Sequence, residues 1–164
     1  MYSYYDMHTC YYRHDGYERG ETNEEIITFD EAVNLIRKSV EDEKEDEMFY
    51  DELIKEASNP KEKEIIISIR DDERKHNQIL RRLYEKFTGE ILHDMPMPEM
   101  KTMEDVTYQD KLEKALFGEL DAVKKYRKIM GAMPDEESRT LLMSIMTDEI
   151  RHANKYNFLI ANQK

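Results

Sequence analysis

The sequence predicts an all-α fold: an antiparallel four-helix bundle with a long crossover between its second and third helices. Apolar residues recur in steps of three and four along four long segments, the mark of helices that bury one face. Between Gly89 and Thr107 that pattern lapses, and Pro96 and Pro98 punctuate a Met-rich run. The third observation is an internal repeat. Asp72-Glu73-Arg74-Lys75-His76 returns as Asp148-Glu149-Ile150-Arg151-His152, an offset of 152 − 76 = 76 positions that also carries Glu43 onto Glu119 and Tyr50 onto Tyr126. The chain therefore reads as two related helical hairpins.

Residues 1–24 are a tyrosine-rich N-terminal tail, with Tyr2, Tyr4, Tyr5, Tyr11, Tyr12 and Tyr17 set among Gly16, Gly20, His8 and His14, and the bundle domain occupies 25–164. No periodicity survives in the tail, so a poorly ordered terminus is expected, with docking on the bundle or a partner as the other reading. Loose metal binding by His8, His14 and Cys10 is disfavoured by the entropy that flexible ligands lose on ordering.

The first helix is expected from Phe29 to Ala57, opened by the capping box Thr28-Phe29-Asp30-Glu31. Its inward seam is Ile36, Val40, Glu43, Glu47, Tyr50, Ile54 and Ala57. The second follows Asn59, with Pro60 in the first turn, where its missing N–H costs nothing, and Thr88-Gly89 stops it. Its stripe is Ile66, Ile69, Glu73, His76, Leu80, Leu83 and Phe87. The connection from Gly89 to Thr107 is long by ordinary standards. Such a crossover can run the full length of a bundle and set the direction of the next helix. The third helix is placed at Tyr108 to Met130, with Leu112, Leu116, Glu119, Val123, Tyr126 and Met130 inward, and Gly131 to Asp135 makes a turn. The fourth spans Pro134 to Ile160 and carries Leu142, Ile145, Glu149, His152, Tyr156 and Leu159 on one stripe.

At 164 residues the chain is the size of one domain. Charged residues make up 38% of it, yet the persistent helical periodicity argues for a folded protein. A formal charge of −12 argues against a nucleic-acid partner, because no basic stripe could displace counterions from a phosphate backbone. The single cysteine, Cys10, allows neither an intramolecular disulfide nor a four-cysteine metal site. No apolar run approaches the length of a membrane span, and no secretory leader is recognisable, so a soluble cytoplasmic protein is expected.

Hairpin geometry turns the repeat into a site. Glu43 lies 58 − 43 = 15 positions before the turn at Ser58 and Glu73 lies 73 − 58 = 15 after it, so both sit at one level, about 22 Å from the turn. Glu119 and Glu149 stand at the same distance from Pro134, 15 positions each. His76 and His152 follow their glutamates by three positions, on the same helix face. Packing the hairpins together brings Glu43, Glu73, His76, Glu119, Glu149 and His152 to mid-bundle on otherwise apolar seams. Four buried carboxylates without cations are costly. Two divalent ions balance four glutamates and two neutral imidazoles, and oxygen and nitrogen ligands suit iron or manganese.

These residues resemble the ferritin-like di-iron carboxylate proteins: single Glu43 and Glu119 alternate with Asp72-Glu73-x-x-His76 and Asp148-Glu149-x-x-His152 across a long central connection. Within that superfamily, Phe117-Gly118-Glu119 through Tyr126 is most similar to the rubrerythrin branch, over about residues 29 to 161. The resemblance implies two iron ions held by the six residues, with manganese or zinc as other occupants, and Glu73 and Glu149 bridging them. It implies that Asp72 and Asp148 accept a hydrogen bond from the outer nitrogen of the opposite histidine. Tyr50 and Tyr126 would hydrogen-bond to ligating carboxylates, core filling being the other reading. Rubrerythrins often carry a further glutamate three residues after the third helix's ligand; here that position is Ala122, and its counterpart in the first half is Asp46. Asp46 is either a displaced extra carboxylate or an exposed-face aspartate, and Glu47 is a weaker candidate of the same kind. The rubredoxin-like iron module is not among these residues.

The activity implied is a non-haem di-iron oxidoreductase of the peroxidase or ferroxidase type. It would reduce peroxide or dioxygen with electrons from an external donor such as a rubredoxin-like protein. A non-catalytic metal-binding or iron-handling protein is the alternative, and oxygen-dependent modification of an organic substrate a third. No membrane or nucleic-acid partner is expected, and a homodimer is compatible with a charged bundle of this type.

Overall fold

The computed structural model describes residues 26–93 and 106–163 of the chain. Four helices make up the described fold: α1 (Phe29–Glu56), α2 (Pro60–Thr88), α3 (Tyr108–Ala132) and α4 (Glu136–Ala161). The N-terminal tail, with His8, His14 and Cys10, lies outside the described residues, as does most of the Met-rich part of the connection.

Each helix begins where a side chain can satisfy its free N–H groups. At α1 the Glu31 amide donates to Thr28 Oγ1 at 3.3 Å while the Thr28 amide donates to Glu31 Oε2 at 2.7 Å. Asn59 Oδ1 accepts from the Glu62 amide ahead of Pro60, and Gly89 closes α2 in the left-handed region at φ 75°. Thr107 and Asp110 form a second capping box at α3. The fourth helix starts two residues later than expected from Pro134. Asp135 is its cap, accepting from the Ser138 amide at 2.9 Å, so the preceding proline stays in the turn. The third helix likewise runs two residues past Met130, through Gly131.

α1 packs on α2 and α3 on α4, and the two hairpins join through α1–α3 and α2–α4 contacts. Direction follows from the ends. Lys86, near the end of α2, bonds Asp135 at the start of α4 at 2.9 Å, whereas Lys111, at the start of α3, bonds Glu56 at the end of α1. α2 therefore ends at one end of the bundle and α3 starts at the other.

The interior is built in three layers. One apolar cluster holds Ile36, Val40, Leu80, Leu83, Tyr126, Ile129, Leu142 and Ile145. A second, toward the other end, holds Tyr50, Leu53, Ile66, Ile69, Leu112, Tyr156 and Leu159. Burying each large aliphatic side chain contributes roughly 1.5–3 kcal/mol. Between the clusters the six predicted polar residues fill the bundle. Three seam assignments shift: Leu53 rather than Ile54 is fully buried in α1, and Ala115 and Ile129 rather than Leu116 and Met130 are buried in α3. Among the described residues no helix is long and apolar enough to cross a membrane.

Candidate metal centre

All four helices bring carboxylate or imidazole side chains to one level. α1 supplies Glu43, α2 supplies Glu73 and His76, α3 supplies Glu119, and α4 supplies Glu149 and His152. None of the six is more than 4% exposed. Their donor atoms fall into two overlapping groups, Glu43, Glu73, His76 and Glu149, and Glu73, Glu119, Glu149 and His152; within each the atoms lie within 4.8 Å of one another. Glu73 and Glu149 belong to both. All six residues drawn from the repeat thus converge.

Both imidazoles turn Nδ1 inward. His76 Nδ1 is 2.9 Å from Glu73 Oε2 and 3.3 Å from Glu149 Oε1. His152 Nδ1 is 3.0 Å from Glu73 Oε1, 3.3 Å from Glu149 Oε2 and 3.5 Å from Glu119 Oε2. Each outer nitrogen faces the aspartate of the opposite hairpin: His152 Nε2 meets Asp72 Oδ2 at 3.3 Å, and His76 Nε2 approaches Asp148 Oδ2 at 3.5 Å. The ring centroids are 5.7 Å apart.

Protonation follows from crowding. Burial and the neighbouring Glu73 push the Glu43 carboxyl well above its ordinary range, and burial does the same to Glu119. Burial also acts on Glu73 and Glu149, but hydrogen bonds from both histidines and from the adjacent carboxyls outweigh it and hold these two low. Burial alone would lower the imidazoles; bonding to Glu149 and Glu73 instead raises His76 to about 10, and bonding to Glu119, Glu149 and Glu73 raises His152 to about 12.

That cluster fits a pair of metal ions on its own geometry. Glu43 Oε2, Glu73 Oε1 and His152 Nδ1 are buried atoms without a well-aligned hydrogen bond, although Glu43 Oε2 lies 3.8 Å from His76 Nδ1 and Glu73 Oε1 lies 3.0 Å from His152 Nδ1. Buried polar atoms are rarely left so. Oxygen and nitrogen donors in two sets of four, sharing two carboxylates, are the chemistry that divalent first-row ions take.

Tyrosines close the layer from both sides and cross between hairpins. Tyr50 Oη, from α1, donates to Glu119 Oε1 at 2.7 Å, and Tyr126 Oη, from α3, donates to Glu43 Oε1. Burial raises both phenols well above 10, so they remain donors. Behind Tyr50 stands Tyr156, fully buried, ring centroids 5.8 Å apart.

Asp46 and Glu47 do not join. Neither belongs to the two four-residue groups: Asp46 keeps an exposed flank, although burial of its carboxyl and the nearby charge of Glu73 raise it to about 7, and Glu47 turns to Lys44 at 2.6 Å and Arg74 at 2.8 Å. Sequence reasoning missed the cations that pin the aspartates. Lys75 bonds Asp72 Oδ1 at 2.7 Å and Arg151 bonds Asp148, each three positions on. That spacing was the available signal.

No curated protein and no solved structure matches the chain significantly. The family model described as Rubrerythrin matches residues 34–160, which include all four helices' contributions to the cluster. Covering most of the chain and every converging residue, that match makes the protein a member of the rubrerythrin family.

Proposed function

We propose that Glu43, Glu73, His76, Glu119, Glu149 and His152 hold two iron ions, with Glu73 and Glu149 shared between them, and that the protein reduces hydrogen peroxide or dioxygen. The observation that carries this reading is the pair of overlapping four-residue groups with two common carboxylates. Bound iron would supply reversible one-electron chemistry at a site with open positions. Reduction of one peroxide to two waters takes two electrons and two protons.

The residues of the chain do the rest. Asp72 accepts from the Nε2–H of His152, and Asp148 faces Nε2 of His76 at 3.5 Å, so that each Nδ1 is left to face the centre. Tyr50 and Tyr126 fix one oxygen each of Glu119 and Glu43. Apolar clusters on both sides keep bulk water away along the bundle axis. The one cysteine among these residues cannot build a four-cysteine iron centre, so electrons would reach the cluster from a redox group outside them.

Metal analysis of protein purified without oxygen, followed by one equivalent of peroxide, tests the proposal. Two iron ions per chain, oxidised in step with peroxide loss and re-reduced by a donor, are expected. Iron bound without any redox response would leave a metal-handling protein and overturn the enzymatic reading.

A further inference from the structure

We infer that the groove between α2 and α4 is the docking face for a small acidic electron-donor protein. The inference rests on the redox reading above and names where its electrons enter. The groove, about 380 Å³, has Ile65 and Phe158 for apolar walls and Arg151 and Lys155 at its rim. Phe158 is 42% exposed, and Lys61 Nζ lies 4.6 Å over its ring.

Charge at this face runs against that of the whole protein. Asp72 and Asp148, beneath the groove, are turned inward to the histidines, with side chains only 15% and 22% exposed, while Glu64, one residue before Ile65, is exposed. Their cationic partners stand outside them: the Lys75 and Arg151 side chains are 68% and 60% exposed. Lys61 is also exposed. A partner approaching here meets ammonium and guanidinium groups around an apolar patch, on a chain whose formal charge is −12. An acidic protein with an apolar contact area is complementary to it, and such charge steering suits brief electron-transfer encounters with small interfaces.

Position selects an electron donor over other acidic proteins. Lys155 Nζ lies 3.9 Å from Asp72 Oδ2, which is 3.3 Å from His152 Nε2; on the same ring Nδ1 is 3.0 Å from Glu73 Oε1. Two contacts separate the groove from the cluster. The His76–Asp148 pair opens on the same face.

Titration of the full-length protein, loaded with redox-inert zinc, with an acidic rubredoxin as probe tests the location without requiring turnover. Amide shifts at Ile65, Arg151 and Phe158 are expected, with affinity falling steeply as salt rises. The double variant Lys61→Glu/Phe158→Ser touches no residue of the cluster. It should bind the probe at least tenfold more weakly, with zinc content unchanged; Lys61→Glu alone serves if the double variant does not fold. Absence of binding at low salt, shifts on another face, unaltered affinity in the variants, or burial of these residues by a second copy of the chain would each overturn the inference. Peroxide turnover driven by dithionite separates the two readings. If it proceeds while the probe fails to bind, docking alone is wrong; if it fails while the probe binds, the redox reading is wrong and the docking face stands.

Discussion

Loading the metal-free protein with two divalent ions at pH 7 should release close to four protons. His76, raised to about 10, and His152, raised to about 12, each carry one at that pH. Burial shifts Glu43 and Glu119 toward their neutral forms, adding up to two more. With Glu73 and Glu149 ionised, the metal-free cluster then sums to zero charge, as do two divalent ions with four carboxylates and two neutral imidazoles. Metal thus replaces protons one charge at a time. Each released proton makes binding tenfold tighter per pH unit, about 1.4 kcal/mol, so four give roughly a ten-thousand-fold rise per unit in the affinity for the pair. The sign is that of a competition: raising pH favours metal, and the slope shallows as His76 loses its proton near 10. Calorimetric titration in buffers of different ionisation enthalpy counts the protons. Release of one proton or fewer would mean that the six groups are not the ligands.

Three further expectations bear on the same residues. Glu73→Ala and Glu149→Ala should each lose paired-metal binding, because each carboxylate belongs to both groups; two ions retained in either variant, by metal analysis, would refute sharing. Chelation should lower the melting temperature by several degrees, and the metal-free protein should lose stability as pH rises from about 6.5 toward the raised histidine value of about 10, since protonated imidazoles stabilise the fold below that window. Flat melting curves after verified metal removal would count against both. Tyr50→Phe removes the 2.7 Å bond to Glu119, a loss of about 1 kcal/mol or somewhat more. Metal affinity should fall several-fold while helix content stays unchanged, as measured by competition with a chromogenic chelator.

Much of the site was legible because helical spacing is rigid. Equal distances from two turns placed Glu43 beside Glu73 and Glu119 beside Glu149, and three-residue steps fixed the histidines. Other features depend on torsions that spacing does not carry. Which nitrogen of His76 and His152 faces inward is a rotamer choice, settled here by the aspartates behind Nε2. That Tyr50 reaches Glu119 and Tyr126 reaches Glu43 depends on how the hairpins rotate against one another. Glu47 occupies a seam position, yet its length lets the carboxylate leave for Lys44 and Arg74. In α1 both Leu53 and Ile54 fit steps of three and four between Tyr50 and Ala57, and packing alone puts Leu53 in the core with Ile54 against its flank. The start of α4 was misplaced because Pro134 and Asp135 are both good openers, and only the bond from the Ser138 amide chooses between them.

The Tyr50–Tyr156 contact marks where the two halves have parted. Counting 76 positions back from Tyr156 reaches Leu80, so the tyrosine facing Glu43 lies in a cluster with an aliphatic residue while the one facing Glu119 has a second phenol behind it. Ions held at the two positions would therefore be chemically distinguishable, despite identical ligand types. A duplicated scaffold has become a directional one, in which a spectroscopic probe sensitive to each ion separately would record two signals instead of one.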